Sequence, residues 1–105
     1  VTTVELTRFR VSPALGEALV ATRSAMLRDF RLDRDGFLDA QLVRLADDEW
    51  LDIVSWRSSA DLAASRAKGG NRPGIQAFFE LIGEIISSEE GTLVDEPAWP
   101  GNAPG

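Results

Sequence analysis

The stretch LDIVSWRSSADL, residues 51–62, carries two signals at once. Successive side chains of an extended chain alternate faces. Leu51 and Ile53 therefore point one way, while Val54 and Trp56 point the other. A sheet with one wet face would show polar residues on one of those sides. In the second half, Ser58 opens S-S-A-D, a short capping box in which Asp61 reaches back to an orphan amide. A helix is thus expected to begin as soon as the strand ends. A strand that is apolar on both faces needs cover on both, and 105 residues make a single domain with one core.

On the N-terminal side, WLDIVSW (50–56) is expected to pair with FLDAQLVRLA (37–46) across the acidic turn Asp47-Asp48-Glu49. Further upstream, Ser12-Pro13 reads as an N-cap followed by proline at the first helical position. Leu15, Ala18, Leu19, Met26 and Phe30 then recur at helical spacing. Thr22 is the polar member of that stripe, able to bond back to the preceding turn. This helix should fade at 31–33, before the Asp35-Gly36 turn. The first strand is TTVELTRFRV (2–11), with Val4, Leu6, Arg8 and Arg10 on one face and Glu5, Thr7, Phe9 and Val11 on the other.

Downstream, the helix opened by Ser58 runs to Lys68, and GGNRPG (69–74) interrupts it. Pro73 restarts a helix with Ile75, Phe78, Phe79, Ile82 and Ile86 along one side. EEGTLVDE (89–96) reads as a fourth strand. PAWPGNAPG (97–105) is a tail too rich in Pro and Gly to pack, in which Trp99 either docks on a neighbouring surface or hangs free. The order β-α-β-β-α-β predicts an α+β, ferredoxin-like split βαβ domain over 1–96. It has a four-stranded antiparallel sheet with its helices on one face. The other face would expose Phe9 and Val11 of the first strand, Val43 and Leu45 of the second, and their counterparts on the third. That patch exceeds what monomers expose, so the expected cover is a second copy in a C2 homodimer.

Composition narrows the chemistry. At 44% hydrophobic and 27% charged, the chain has an ordinary globular balance. No apolar run reaches membrane-spanning length and the first residues do not read as a signal peptide, so a cytoplasmic protein without a membrane partner is expected. A net charge of −6, with arginines scattered between Arg8 and Arg72, argues against a nucleic-acid partner. His, Cys and Tyr are all absent. A Ser-His-Asp triad, a His-ligated haem and a thiolate nucleophile are thereby excluded, and no metal or cofactor is expected. Acid–base work would fall to carboxylates or lysine.

Arg8 and Asp52 form the most pointed pair. Both are expected on the helix side of neighbouring strands, where a pocket would lie. Arg8 could hold an anionic or enolate oxygen and Asp52 could orient a hydroxyl or act as base; alternatively the two satisfy each other as a salt bridge. Trp50 and Trp56 share the face of Asp52, either lining an aromatic pocket or packing the core. Of Phe78 and Phe79, either one packs on the sheet while the other edges a cavity, or both belong to the core. KGGNRPG (68–74) is either a candidate anion site, with Lys68 and Arg72 beside free helix-start amides but without phosphate-loop spacing, or a flexible break between helices that serves as the mouth or lid of a pocket. Asp47-Asp48-Glu49 is either a hard-cation site or a solvated turn.

Three stretches, ELTRFRVSPALGEAL (5–19), LDIVSWRSSADLAAS (51–65) and IQAFFELIGEI (75–85), together resemble the antibiotic biosynthesis monooxygenase superfamily, the dimeric α+β barrel proteins. The resemblance spans most of 4–96, and its motifs are structural. It implies two ferredoxin-like protomers pairing their sheets into one barrel, each with a pocket between sheet and helices. It also implies an activity among those of the family, which include cofactor-free oxygenation of polycyclic phenols and haem degradation. Trp56 matches the family's recurrent tryptophan at the end of strand three. The haem-degrading pattern of asparagine, tryptophan and histidine falls on Leu6, Ser65 and the neighbourhood of Ile75, so that branch is not implied. Two readings result. One is a cofactor-free monooxygenase acting on an aromatic, polyketide-type molecule, with Arg8 and Asp52 catalytic and Trp50, Trp56, Arg72 and Phe79 binding the ligand. The other is a non-catalytic homodimeric module for a small hydrophobic or aromatic ligand.

Overall fold

The computed structural model describes residues 1–95; Glu96 and the tail with Trp99 lie outside them. Strand β1 (Thr3–Arg10) leads through a single 3-10 turn, Pro13–Leu15, into α1 (Gly16–Asp33). The hairpin β2 (Phe37–Ala46) and β3 (Glu49–Trp56) follows, then α2 (Ser59–Lys68), α3 (Pro73–Glu80) and β4 (Glu84–Thr92). The sheet order is β2-β3-β1-β4 with every neighbouring pair antiparallel. This is the ferredoxin-like α+β arrangement, with β2 and β4 at its borders.

Local chemistry accounts for most boundaries. Thr22 Oγ1 donates back to the Leu19 carbonyl at 2.8 Å, and Leu19, Met26 and Phe30 form the buried stripe of α1. Ser12 makes no side-chain cap; Pro13 starts the 3-10 turn instead. Ser58 caps α2 by accepting from the Asp61 amide at 3.1 Å. The Asp61 carboxylate does not reach back to an amide. It accepts from the Ser58 hydroxyl at 2.8 Å and from the Arg57 guanidinium through two 3.0 Å bonds. Arg57 first, then Ser58, hold the Asp61 carboxyl below its usual range.

Two further expectations need correction. Helix α3 ends at Glu80 and does not carry Ile82 and Ile86. The Gly83 amide donates to the Arg10 carbonyl at 2.9 Å, and β4 pairs with β1 from Arg10↔Glu84 to Thr3↔Thr92. Sheet pairing therefore claims Ile85 and Ile86, β-branched residues suited to a strand, and β4 begins five residues earlier than expected.

The facing of β1 is the second correction. Phe9 is 1% exposed and meets Phe78 of α3 edge-on at 6.2 Å, so Thr3, Glu5, Thr7 and Phe9 face the helices. Val4, Leu6, Arg8 and Arg10 face the open side. Val11, likewise 1% exposed, belongs to the core rather than to the uncovered patch. The apolar residues of the open face are Val4, Leu6, Val43, Leu51 and Ile53, with Leu6 opposite Ile53 and Val43 opposite Leu51. Among the described residues no helix covers this face.

Helices α1 and α3 approach closely at Gly74. A Cβ there would lie 2.5 Å from the Ala25 carbonyl oxygen, and the Gly74 amide donates to Asp29 Oδ2 at 2.7 Å. Gly74→Ala is expected to cost about 1–3 kcal/mol, because backbone cannot yield as a side chain does. Gly91→Ala, with open space around it, is expected within about 1 kcal/mol of wild type, and urea titrations of both variants measure the difference. Equal midpoints for the two variants would show that the helices separate freely.

Candidate functional site

Between sheet and helices lies a cavity of about 530 Å³, inside the roughly 300–1,000 Å³ range of small-molecule pockets. Strand register builds its floor. Asp52 of β3, Thr7 of β1 and Ser88 of β4 are cross-strand neighbours and form a polar row, with Glu5 and Val54 on one side and Phe9 and Ile85 on the other. Phe30, Ser65, Arg66, Phe78 and Phe79 come down from the helices, and Arg34 and Gly69 line it from the helix ends.

The charged groups of the floor are already engaged. Both oxygens of Asp52 accept from Arg23 of α1, at 2.8 and 2.7 Å, and that guanidinium also lies 5.3 Å from the Phe78 ring centre. Glu5 accepts from the Trp56 indole N–H at 3.2 Å and from Arg66 Nε at 3.4 Å. Arg34 is the most enclosed charge of the site, its side chain only 1% exposed. Its N–H groups reach Ser65 Oγ at 2.8 Å, Asp33 Oδ2 and Asn71 Oδ1 at 2.7 Å each, and the Gly69 carbonyl, while the guanidinium stacks 5.2 Å from the Phe30 ring centre. Asn71 above all, with Lys68 and Arg34, holds the Asp33 carboxyl below its ordinary value.

Of the residues marked from sequence, Asp52 and Phe79 line the cavity, Phe79 at its rim with 41% exposure. Arg8 does not join Asp52. It lies across the sheet on the open face, paired with Glu49, because the register sets Thr7 beside Asp52. Trp50 is buried under Arg44, whose guanidinium lies 4.8 Å from its ring, and its indole N–H has no partner among the described residues. Trp56 is core, packed on Phe30 and Phe37. Arg72 sits 3.7 Å from Asp29, away from the cavity. No anion site forms at 68–74: Asp29 takes the Gly74 amide, and Lys68 Nζ donates to the Asp33 carbonyl at 2.6 Å. Asp48 and Glu49 are drawn into ion pairs with Arg10 and Arg8, and no metal-binding cluster exists among the described residues. Sequence reading missed Glu5, Thr7, Arg34, Ser65, Arg66 and Ser88. Polar strand residues and a post-helix arginine look like surface until the two layers are placed together.

Solved structures share this architecture. Rv0793 from Mycobacterium tuberculosis superposes with a TM-score of 0.64 at 24% identity, over 91% of this chain and 98% of that one. A Bordetella bronchiseptica protein assigned by name to the antibiotic biosynthesis monooxygenases gives 0.76 at 16% identity, over 89% and 97%. SnoaB, a cofactor-independent oxygenase from Streptomyces nogalater, gives 0.56 at 24%, over 94% and 97%. The fold is that of the antibiotic biosynthesis monooxygenases. No family model matches this sequence, and no curated protein matches it either. The monooxygenase fold accounts for the split βαβ order, the single helical layer and the sheet left bare on one side. No helix among the described residues is long and apolar enough to cross a membrane.

Proposed function

We propose that this protein binds a planar aromatic molecule in the cavity over the Asp52–Thr7–Ser88 row and oxygenates it without a cofactor. The observation that supports this most is the cavity itself: aromatic and aliphatic walls, with polar groups set on the sheet floor and at the α2 end. The shared fold with a cofactor-independent oxygenase supports it further. In such chemistry the substrate supplies the electrons. A methylene between aromatic rings gives up two hydrogens and gains one oxygen atom from O₂, and the second oxygen leaves as water. The protein contributes positioning and charge stabilisation.

A second reading has its own observation. Asp52 has both oxygens on Arg23, an arrangement that favours an electrostatic anchor over a free base. A binding module without catalysis fits that pair equally well. Under either reading, the bare apolar sheet face is covered by a second copy of the chain, giving a C2 homodimer.

An oxygen electrode with anthrone-type methylenes and hydroquinones separates the two. Wild type is expected to consume oxygen, Asp52→Asn at least about tenfold less at saturating substrate, and Arg8→Ala unchanged because Arg8 faces away. Tight binding of these compounds without oxygen uptake would establish the module instead.

A further inference from the structure

We propose that the α2 end of the cavity is a hydrogen-bond-donating corner that selects an aromatic ligand by an acceptor oxygen, a ring carbonyl or phenolate. This rests on the small-molecule reading above and names the chemical edge that the ligand must present.

The inference follows from counting donors and acceptors. Three carboxylates line the cavity, and each is already paired with a cation: Asp52 with Arg23, Glu5 with Arg66 (and with the Trp56 indole), and the exposed Glu84 with Arg10. The two hydroxyls that Arg34 and Arg66 reach are in the opposite condition, while Thr7 in mid-floor has no hydrogen-bond partner among the described residues. Ser65 Oγ accepts from Arg34 Nε at 2.8 Å, and Ser88 Oγ accepts from Arg66 at 3.4 Å. A hydroxyl that accepts still has its own proton to give. Among the described residues neither proton meets an acceptor. Ser65 is 8% exposed, so an unmade bond there is costly rather than neutral.

Arg34 strengthens the corner. Its four named contacts leave one of five guanidinium N–H groups without a partner among the described residues. The guanidinium cannot swing away, being pinned to Ser65, Asp33, Asn71 and Gly69 and stacked on Phe30. Arg66 reaches from α2 to Glu5 and Ser88 on the sheet, bringing a second guanidinium to the same end. At this end a ligand's donor edge would meet only oxygens that already accept from a guanidinium, Ser65, Ser88 and Glu5. One with a carbonyl or oxyanion would meet Ser65, Ser88 and both guanidiniums.

Three tricyclic probes of nearly one shape test this: 9-fluorenone, fluorene and carbazole, which carry C=O, CH₂ and N–H at the same bridging position. Dissociation constants are measured by ligand-observed NMR with the full chain. Fluorenone is expected to bind about tenfold tighter than fluorene, the worth of one good hydrogen bond, and carbazole no tighter than fluorene. Ser65→Ala and Arg66→Gln, chosen because neither removes the buried Arg34, should each erase most of the fluorenone advantage while leaving fluorene unchanged. Equal binding of fluorenone and fluorene, or an advantage that both variants retain, overturns the donor corner and leaves the small-molecule reading intact. No binding of any probe overturns both.

Discussion

Trp56→Ala is expected to lower the unfolding free energy by about 3–5 kcal/mol, the usual cost of truncating a fully buried large aromatic. Trp56 is 1% exposed and stands where β3 hands over to α2. Its ring meets Phe30 at 6.2 Å and Phe37 at 5.8 Å, both edge-on, while those two rings stack on each other at 5.6 Å. Removing the indole therefore opens a void that touches α1, β2 and the rear of the cavity. Trp56→Phe separates packing from polarity. It keeps most of the ring but leaves Glu5 Oε1 without its indole donor, so about 1–3 kcal/mol should be lost. Urea titrations followed by far-ultraviolet dichroism measure both. An alanine variant within 1 kcal/mol of wild type would mean that the three-ring cluster is not what holds the strand–helix corner.

Ile53→Asp is expected to convert a dimer into a monomer, with at least a thousandfold rise in the dissociation constant. Ile53 lies in mid-sheet on the open face, opposite Leu6 of β1 and Gln41 of β2. In the proposed pairing, twofold symmetry would bury this residue from both copies, and an unpartnered carboxylate costs about 3–5 kcal/mol each time. The fold itself should survive, since Ile53 faces away from the helices. Sedimentation equilibrium at micromolar concentration checks both halves. Wild type should run as twice 11.4 kDa, and the variant as one copy with an unchanged dichroism spectrum. A wild-type chain that sediments singly would remove the second copy as the cover.

Legibility in the sequence followed the strength of local chemistry. The Ser58 cap, the acidic hairpin turn and the proline restart at Pro73 each act within a few residues, and the chain order could be read from them. The facing of β1 could not. Phe9 and Val11 on one side and Val4 and Leu6 on the other make the strand ambiguous by alternation. The helix-covered face also carries Glu5 and Thr7, because a cavity sits over the middle of the sheet. A pocket thus inverts the rule that covered means apolar, and Arg8 was assigned to the wrong side. The α3–β4 boundary failed for a different reason. Ile82 and Ile86 continue the helical spacing, but β1 offers a whole strand of backbone partners from Arg10 onward, and only Gly83 hints at the break. Asp52 and Phe79 were reachable from parity and periodicity. Arg34 was not, since nothing around it in sequence shows that α2 and the glycine turn close over it.

The border strand β4 has a consequence of its own. Its outer row of amides and carbonyls has no further strand beside it among the described residues, an invitation to any stray extended segment. Glu84, Glu89 and Glu90 are exposed along that rim, so two molecules meeting rim to rim push each other apart. Such repulsion follows the net charge, and near the isoelectric point of ≈ 4.5 that the sequence sets, the excess of negative charge fades. Mild acid would then lift that repulsion and let the rims meet.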